Sequence, residues 1–230
     1  MIYTVIADTE DFRKFSEELK KRDCRNTWQP LTLIPDDVFT YINDAKNDEV
    51  RLERLASYST LFFALCKLYG KRNLTLSRTE LGKPYLMENN DRSRIHVSIS
   101  HTDGAIAISL SDECDVGVDI QSEINTERIE KLEERFLYNI NIKEEKIDER
   151  VLLLKTKGDT AIFIDAEFSN PSDIDFTLKW AYCESILKCD GCGFNGLKKI
   201  SEIQSKTKSS IKKITINKRK FSLVTTIKVL

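Results

Sequence analysis

Residues 95–121 read IHVSISHTDGAIAISLSDECDVGVDIQ, and this stretch decides the fold. Apolar and small or polar side chains alternate in residues 95–101 and 105–112, which is typical of strands with one buried face. The Thr-Asp-Gly step at residues 102–104 is a credible turn, so these two strands are expected to form a hairpin. A third strand is predicted for residues 115–120.

Helices are predicted both before and after these strands in the sequence. Apolar residues recur at helical spacing in residues 49–69, and Gly70 ends that helix. Further strands are predicted at 2–7, 151–168 and 211–230, and further helices at 123–137 and 176–188. Each half therefore offers a long helix and several strands. We expect an α+β protein of two similar lobes, residues 1–118 and 119–230, with a cleft between them.

Composition excludes several classes of protein. The 230 residues carry 36 Lys+Arg against 37 Asp+Glu, and this balance argues against a strongly basic nucleic-acid binder. The chain has no apolar run long enough to span a bilayer, so no membrane partner is expected. Its first residues resemble a strand and not a signal peptide, which predicts a cytoplasmic location.

Cysteine and histidine counts limit the metal chemistry. The six cysteines are irregularly spaced, so we expect reduced and mostly buried thiols. The Cys-Asp-Gly-Cys step at residues 189–192 has no second cysteine or histidine pair to complete a zinc site. Only two histidines occur, which excludes a multi-histidine centre.

Two features of the sequence point to chemistry. Asp119 lies within an apolar strand, where a carboxylate must be paired, hydrogen-bonded or bound to a metal. Trp180, Glu184 and Lys188 follow at intervals of four, so all three lie on one helix face. Taken alone, each has an ordinary structural interpretation: a satisfied buried aspartate, and a surface Glu-Lys pair beside a core tryptophan.

Polar side chains also gather at the end of the strand before residue 103. Ser98, Ser100, His101 and Thr102 are either turn residues or ligand contacts. A serine hydrolase is not indicated, because no Gly-x-Ser-x-Gly nucleophile motif accompanies them.

The order of the motifs is more informative than any one of them. LGKPYL, VSISHTDG, VGVDIQ, RFL and WAYCESILK followed by Gly-x-Gly succeed one another over residues 80–196. This series resembles the Sfp-type 4'-phosphopantetheinyl transferases. The resemblance implies a pseudo-twofold α+β fold of two similar lobes, with coenzyme A and Mg²⁺ bound in the cleft.

The implied reaction moves 4'-phosphopantetheine from coenzyme A to a serine of an acyl or peptidyl carrier protein and releases 3',5'-ADP. By resemblance, the metal ligands are Asp119, Gln121 and Glu184. Glu184 is also the candidate base, and Lys188 is expected to hold a phosphate. The implied coenzyme A contacts are Arg54, Gly82, Lys83, Pro84, Ser100, His101 and Thr102.

Three departures from the family pattern define the competing interpretations. Gln121 replaces a second acid, and Cys183 replaces a lysine. Residues 145–175 resemble an inserted β-hairpin, and we expect this hairpin to contact the carrier protein or another partner. The main alternative is a catalytically weakened relative that binds coenzyme A or a carrier protein. A metal-dependent phosphohydrolase has less support, because too few acidic and histidine ligands converge for two metals. The two-lobed length predicts a monomer.

The C-terminal segment is rich in basic residues. These could steer an acidic carrier protein or simply form a solvated face of edge strands. They are Lys198, Lys199, Lys206, Lys208, Lys212, Lys213, Lys218, Arg219, Lys220 and Lys228.

Overall fold

The computed structural model describes residues 1–21, 31–127, 129–130, 132, 140–157 and 160–229. The helices are α1 (Glu10–Lys21), α2 (Asp36–Asn43), α3 (Asp48–Tyr69), α4 (Phe176–Asp190) and α5 (Ile200–Gln204). The strands are β1 (Ile2–Asp8), β2 (Leu74–Arg78), β3 (Pro84–Glu88), β4 (Asp91–Arg92), β5 (His96–Thr102), β6 (Ala105–Ser111), β7 (Val116–Ser122), β8 (Glu149–Lys157), β9 (Thr160–Asp165), β10 (Phe168–Ser169), β11 (Thr207–Ile216) and β12 (Arg219–Lys228).

In the part of the chain that the structure describes, the strands form two large sheets and one small sheet. The first large sheet has the order β5-β6-β1-β8-β9, in which only the β1-β8 pair is parallel. The second has the order β10-β11-β12-β7 and is antiparallel throughout. The small sheet, β2-β3-β4, is also antiparallel. The expected α+β class is confirmed.

Among the described residues, the buried apolar side chains form three clusters, each packed between two layers of secondary structure. The first cluster joins α3 to one face of the first sheet and includes Val5, Leu55, Phe63 and Ile108. The second lies between the two large sheets and includes Ile6, Val118, Ile120 and Leu223. The third joins α4 to the outer face of the second sheet and includes Leu178, Ile186, Ile211 and Val224. Neighbouring residues such as Val5 and Ile6 enter different clusters because successive strand side chains point to opposite faces.

Local signals at the ends of α3 explain its length. The side chain of Asn47 accepts a hydrogen bond from the Val50 backbone N–H, which caps the first turn. Gly70 ends the helix at φ 65°, a left-handed conformation that glycine adopts without strain. The helix predicted over residues 49–69 is therefore confirmed.

The two large sheets meet along β5 and β7, the edge strands that face each other. Three β5 hydroxyls accept hydrogen bonds from β7 backbone N–H groups, Ser98 from Val118 at 3.0 Å, Ser100 from Ile120 at 3.3 Å and Thr102 from Ser122 at 3.2 Å. We call this row of contacts the hydroxyl seam. The two partners of each hydrogen bond are 20 residues apart in sequence. The three bonds therefore keep β5 and β7 in one register.

Most predicted elements that fall on described residues are present. The turn at residues 102–104 joins β5 to β6, and the C-terminal strands pair as β11 and β12. The two strands predicted over residues 151–168 form the β8-β9 hairpin, which joins the first sheet beside β1. Most of the helix predicted at 123–137 and the tip of that hairpin lie outside the described residues. In the described part of the chain, no helix combines the length and apolar character needed to cross a membrane.

Candidate active site

Helix α4 lies directly on β7, and this contact brings the polar residues of both elements together. The side chain of Asp175 caps the helix by accepting from the Leu178 N–H at 2.7 Å. On β7, a Cβ added to Gly117 would lie 2.0 Å from the carbonyl oxygen of Ser185. Only glycine leaves room for a helix at this distance, which explains the glycine before the Val-Asp pair.

Asp119 is fully buried and has a hydrogen-bond partner on each of its oxygens. Its Oδ1 accepts from Ser100 Oγ at 2.6 Å and from Lys188 Nζ at 2.5 Å. Its Oδ2 accepts from Gln121 Nε2 at 2.9 Å. A buried carboxylate needs such compensation for its lost hydration. In this structure the Asp119 carboxylate receives that compensation from Ser100, Gln121 and Lys188.

Glu184 and Lys188 are one helical turn apart and form an ion pair with 3.3 Å between Oε2 and Nζ. Burial raises the pKa of the Glu184 carboxyl, the negative charge of Asp119 raises it further, and Lys188 opposes both effects. For Lys188, burial favours the neutral amine, but the attraction of Asp119 and Glu184 outweighs burial and leaves the pKa raised. The three groups therefore form one coupled charge cluster.

The donor set around Lys188 suits a small hard cation. Two carboxylates, Asp119 and Glu184, already flank one positive charge, the Lys188 ammonium. Among the described residues, no three acidic, cysteine or histidine side chains converge on one point. A divalent cation held here by two carboxylates and water would match the coordination habit of Mg²⁺.

Gln121, the third expected metal ligand, faces a different direction. Its amide donates to Asp119 from the side opposite Lys188, and the residue lines a second cavity of about 510 Å³ with Thr177 and Ser222. Cys183 is buried, and burial raises the pKa of its thiol to about 12. The position where the family pattern expects a lysine therefore holds a neutral core side chain.

Glu184 and Lys188 form part of the floor of a cleft of about 570 Å³. The walls come from α3, from the loop between β2 and β3, from β5 and from the segment after α4. Several expected site residues line it, namely Arg54, Gly82, Lys83, Pro84, His101, Glu184 and Lys188. Ser100, Thr102, Asp119 and Gln121 do not line this cleft.

Two arginines occupy one wall of the cleft. The guanidinium of Arg54 lies 3.8 Å from the centre of the Tyr41 ring and donates to the Tyr41 carbonyl at 2.6 Å. Arg78 donates to the Tyr58 hydroxyl at 2.9 Å and to the Gly82 carbonyl at 3.0 Å. Arg54 was expected here from the sequence, whereas Arg78 was not. No motif contained Arg78, and only the antiparallel pairing of β2 with β3 brings it to the cleft.

The Lys83 side chain lines the cleft, but its ammonium is engaged elsewhere. It donates to Asp115 Oδ1 at 2.9 Å and to the carbonyl oxygen of Cys189 in the last turn of α4 at 2.5 Å. His96 Nδ1 lies 3.0 Å from the same Asp115 oxygen. Hydrogen bonds from His96 and Lys83 outweigh burial and hold the pKa of Asp115 well below its usual range. Lys83 therefore joins the C-terminal turn of α4, the helix that carries Glu184, to Asp115 through hydrogen bonds.

The polar cluster at the end of β5 divides between two environments. His101 is 53% exposed at the cleft, and its Nδ1 lies 3.7 Å from Glu53 Oε2. Ser100 is buried in the hydroxyl seam, and half-buried Thr102 also bonds the Ser122 hydroxyl at 3.1 Å. The structure brings His101 to the cleft and leaves the Ser100 and Thr102 hydroxyls between the sheets.

Other features noted in the sequence lie away from the cleft floor. Most basic C-terminal residues are ion-paired, which favours a structural role for them: the pairs are Lys206–Glu202, Lys208–Glu145, Lys212–Glu149, Lys213–Asp175, Arg219–Asp8 and Lys228–Asp190. Trp180 is buried and stacks on Phe194, which reaches the cleft. The Arg-Phe-Leu segment at residues 135–137 lies outside the described residues.

Comparison with known proteins adds no family assignment. No protein-family model matches this sequence, and no curated protein matches it significantly.

Proposed function

We propose that this protein is a Mg²⁺-dependent 4'-phosphopantetheinyl transferase that modifies a serine of an acyl or peptidyl carrier protein. The observation that carries the proposal is the ion-paired cluster of Asp119, Glu184 and Lys188, in which Glu184 and Lys188 line the cleft and the buried Asp119 contacts Lys188. These residues come from two motifs separated by 65 residues or more of sequence. An arginine-bearing wall above them suits a ligand with several phosphates.

The arrangement of layers agrees with the pseudo-twofold fold that the sequence resemblance implies. One large sheet is covered by α3 and the other by α4, and the two sheets pack face to face. A long helix therefore lies against each of the two mainly antiparallel sheets, although the first sheet also takes β8 and β9 from the second half of the sequence. The proposed lobe boundary at residue 119 falls within β7.

In the proposed reaction, the serine hydroxyl of the carrier attacks the phosphorus that bears the pantetheine arm, and 3',5'-ADP leaves. A raised pKa makes the Glu184 carboxylate a better proton acceptor for that hydroxyl. The Lys188 ammonium is placed to neutralise charge on the phosphate oxygens. Asp119 and Glu184 would hold the Mg²⁺, which supplies charge neutralisation on the pyrophosphate.

A catalytically weakened relative is the second candidate, because of Gln121 and Cys183. Gln121 binds Asp119 from the far side of the cleft floor, and Cys183 supplies no charge. Such a protein would bind coenzyme A or a carrier without transfer. The clustered Asp119, Glu184 and Lys188 favour the active enzyme.

The test is intact-mass spectrometry of several apo carrier proteins incubated with the protein, coenzyme A and Mg²⁺. An active transferase adds one phosphopantetheine arm, and chelation of the metal abolishes the gain. Glu184→Gln, which keeps the side-chain size, should lower the rate by about 10²–10⁴-fold. Binding of coenzyme A without any transfer would favour the weakened relative.

A further inference from the structure

The hydroxyl of Ser100 has an unusual set of partners for a residue expected to contact a ligand. It donates to Asp119 Oδ1 at 2.6 Å, and it accepts from Lys188 Nζ at 3.0 Å and from the Ile120 N–H at 3.3 Å. A serine hydroxyl has one hydrogen and two lone pairs. Its hydrogen-bonding capacity is therefore filled by protein groups, and it has no donor left for a phosphate oxygen.

These partners belong to different parts of the fold. Ser100 is on the edge strand of the first large sheet, Asp119 and Ile120 are on the facing edge of the second, and Lys188 is on α4. Ser100 is only 3% exposed, so water does not easily replace it. One hydroxyl thus links the hydroxyl seam to both charged groups beneath the cleft.

Ser98 is a serine of the same hydroxyl seam that lacks the contacts with the charged groups. It lies on the same face of β5 and accepts from the Val118 N–H at 3.0 Å, and it is also 3% exposed. Within the described residues, its hydroxyl makes no hydrogen bond to Asp119 or Lys188. Ser98 and Ser100 therefore share the seam and the same low exposure but differ in their contact with the charge cluster, and Ser98 also lines the cleft.

We infer that Ser100 is a positioning residue that fixes the Asp119 carboxylate and the Lys188 ammonium relative to the seam between the sheets. The structural part of this inference is independent of the reaction, whereas its kinetic consequence rests on the proposed function. Loss of the hydroxyl removes one partner from each charged group, which frees the ammonium to move and misplaces the carboxylate.

The structural test measures the reactivity of Lys188 toward an acetylating N-hydroxysuccinimide ester, followed by peptide mass spectrometry. Lys213 serves as the internal reference, because its side chain is 30% exposed against 31% for Lys188 and it is also ion-paired. Ser100→Ala should raise the relative rate at Lys188 at least three-fold, and Ser98→Ala should leave it within experimental error. Equal rates in the two variants would overturn the inference.

Ser100→Cys keeps the side-chain volume and replaces the hydroxyl by a weakly hydrogen-bonding thiol, so it provides the test if the alanine variant fails to fold. It should change the Lys188 rate in the same direction, and an unchanged rate in a folded Ser100→Cys protein counts against the inference. In the transfer assay, Ser100→Ala should lower kcat about ten-fold with less than a two-fold change in KM for coenzyme A. A raised KM at constant kcat would indicate a ligand contact instead. If the wild-type protein transfers nothing, the proposed function fails, while the labelling still decides the role of Ser100.

Discussion

Gly117 lies so close to Ser185 that a Cβ on the glycine would be 2.0 Å from the serine carbonyl oxygen. The same Cβ would meet the backbone nitrogen of Cys189 at 2.5 Å. These obstacles are backbone atoms of α4, which cannot turn aside as a flexible side chain does. The glycine therefore sets the distance between the helix that carries Glu184 and the strand that carries Asp119.

Gly117→Ala should destabilise the protein by about 1–3 kcal/mol, because the added methyl group overpacks a helix-strand contact. Urea denaturation followed by circular dichroism measures this loss. Gly70→Ala is the control, since its Cβ meets nothing within 4 Å and only the left-handed φ opposes it. That variant should lose about 1–2 kcal/mol, the cost of a left-handed conformation for a residue that has a Cβ. A Gly117→Ala protein as stable as wild type would contradict the close approach of α4 to β7.

Lys83→Met should lower stability more than it lowers affinity for coenzyme A. Methionine keeps much of the apolar stem but removes the hydrogen bonds to Asp115 and to the Cys189 carbonyl. Leaving Asp115 with one partner fewer is expected to destabilise the fold by about 1–3 kcal/mol. Denaturation with and without coenzyme A, together with calorimetric titration, separates the two effects. A large loss of affinity at unchanged stability would instead support the phosphate contact suggested by the sequence.

Asp115 should make stability depend on pH in the acid range. Its pKa is lower in the folded protein than in the unfolded chain, because His96 and Lys83 favour the carboxylate. As the pH falls, Asp115 therefore binds a proton in the unfolded state before it does so in the folded state. Its contribution to the free energy of unfolding is complete above about pH 5 and declines as the pH falls below about 4.

Asp115→Asn removes this titration, so it should be less stable than wild type by about 1–2 kcal/mol at pH 7. The difference in free energy of unfolding between the two proteins should decrease progressively from about pH 5 to about pH 2. Denaturation of both proteins at several pH values measures it. A gap that stays constant over this range would show that the carboxylate is not held by its neighbours.

The sequence predicted the parts of the fold and site that depend on local patterns. Gly70 correctly marked the end of α3, and the i, i+4 spacing correctly placed Glu184 beside Lys188, whereas the Asn47 cap became evident only in the structure. The roles of Ser100 and Lys83 were beyond local reasoning. Lys83 reaches a carbonyl 106 residues away, and the hydroxyl seam joins strands that have no backbone pairing. Contacts of this kind depend on how the sheets pack, which single-sequence periodicity does not encode.

Arg78 provides the sharpest test of the cleft as a phosphate-binding site, because no sequence motif selected it. A guanidinium has five N–H donors, and the contacts with Tyr58 and Gly82 use two of them. The remaining donors are available to a phosphate. Arg78→Met should weaken coenzyme A binding by about 10–100-fold, as expected for a charge-assisted hydrogen bond. Isothermal titration calorimetry at low and high salt measures the loss.

Arg92→Met is the matched control for this change. Arg92 belongs to the same small sheet and lies over the Tyr85 ring at 5.0 Å, yet it does not line the cleft. Its replacement removes the same charge from the protein, so it reports only the long-range electrostatic effect. That effect should be small and should vanish at high salt, because the Debye length shortens to about 3 Å near 1 M. Equal losses of coenzyme A affinity in Arg78→Met and Arg92→Met would mean that Arg78 attracts the ligand from a distance and makes no direct contact with it.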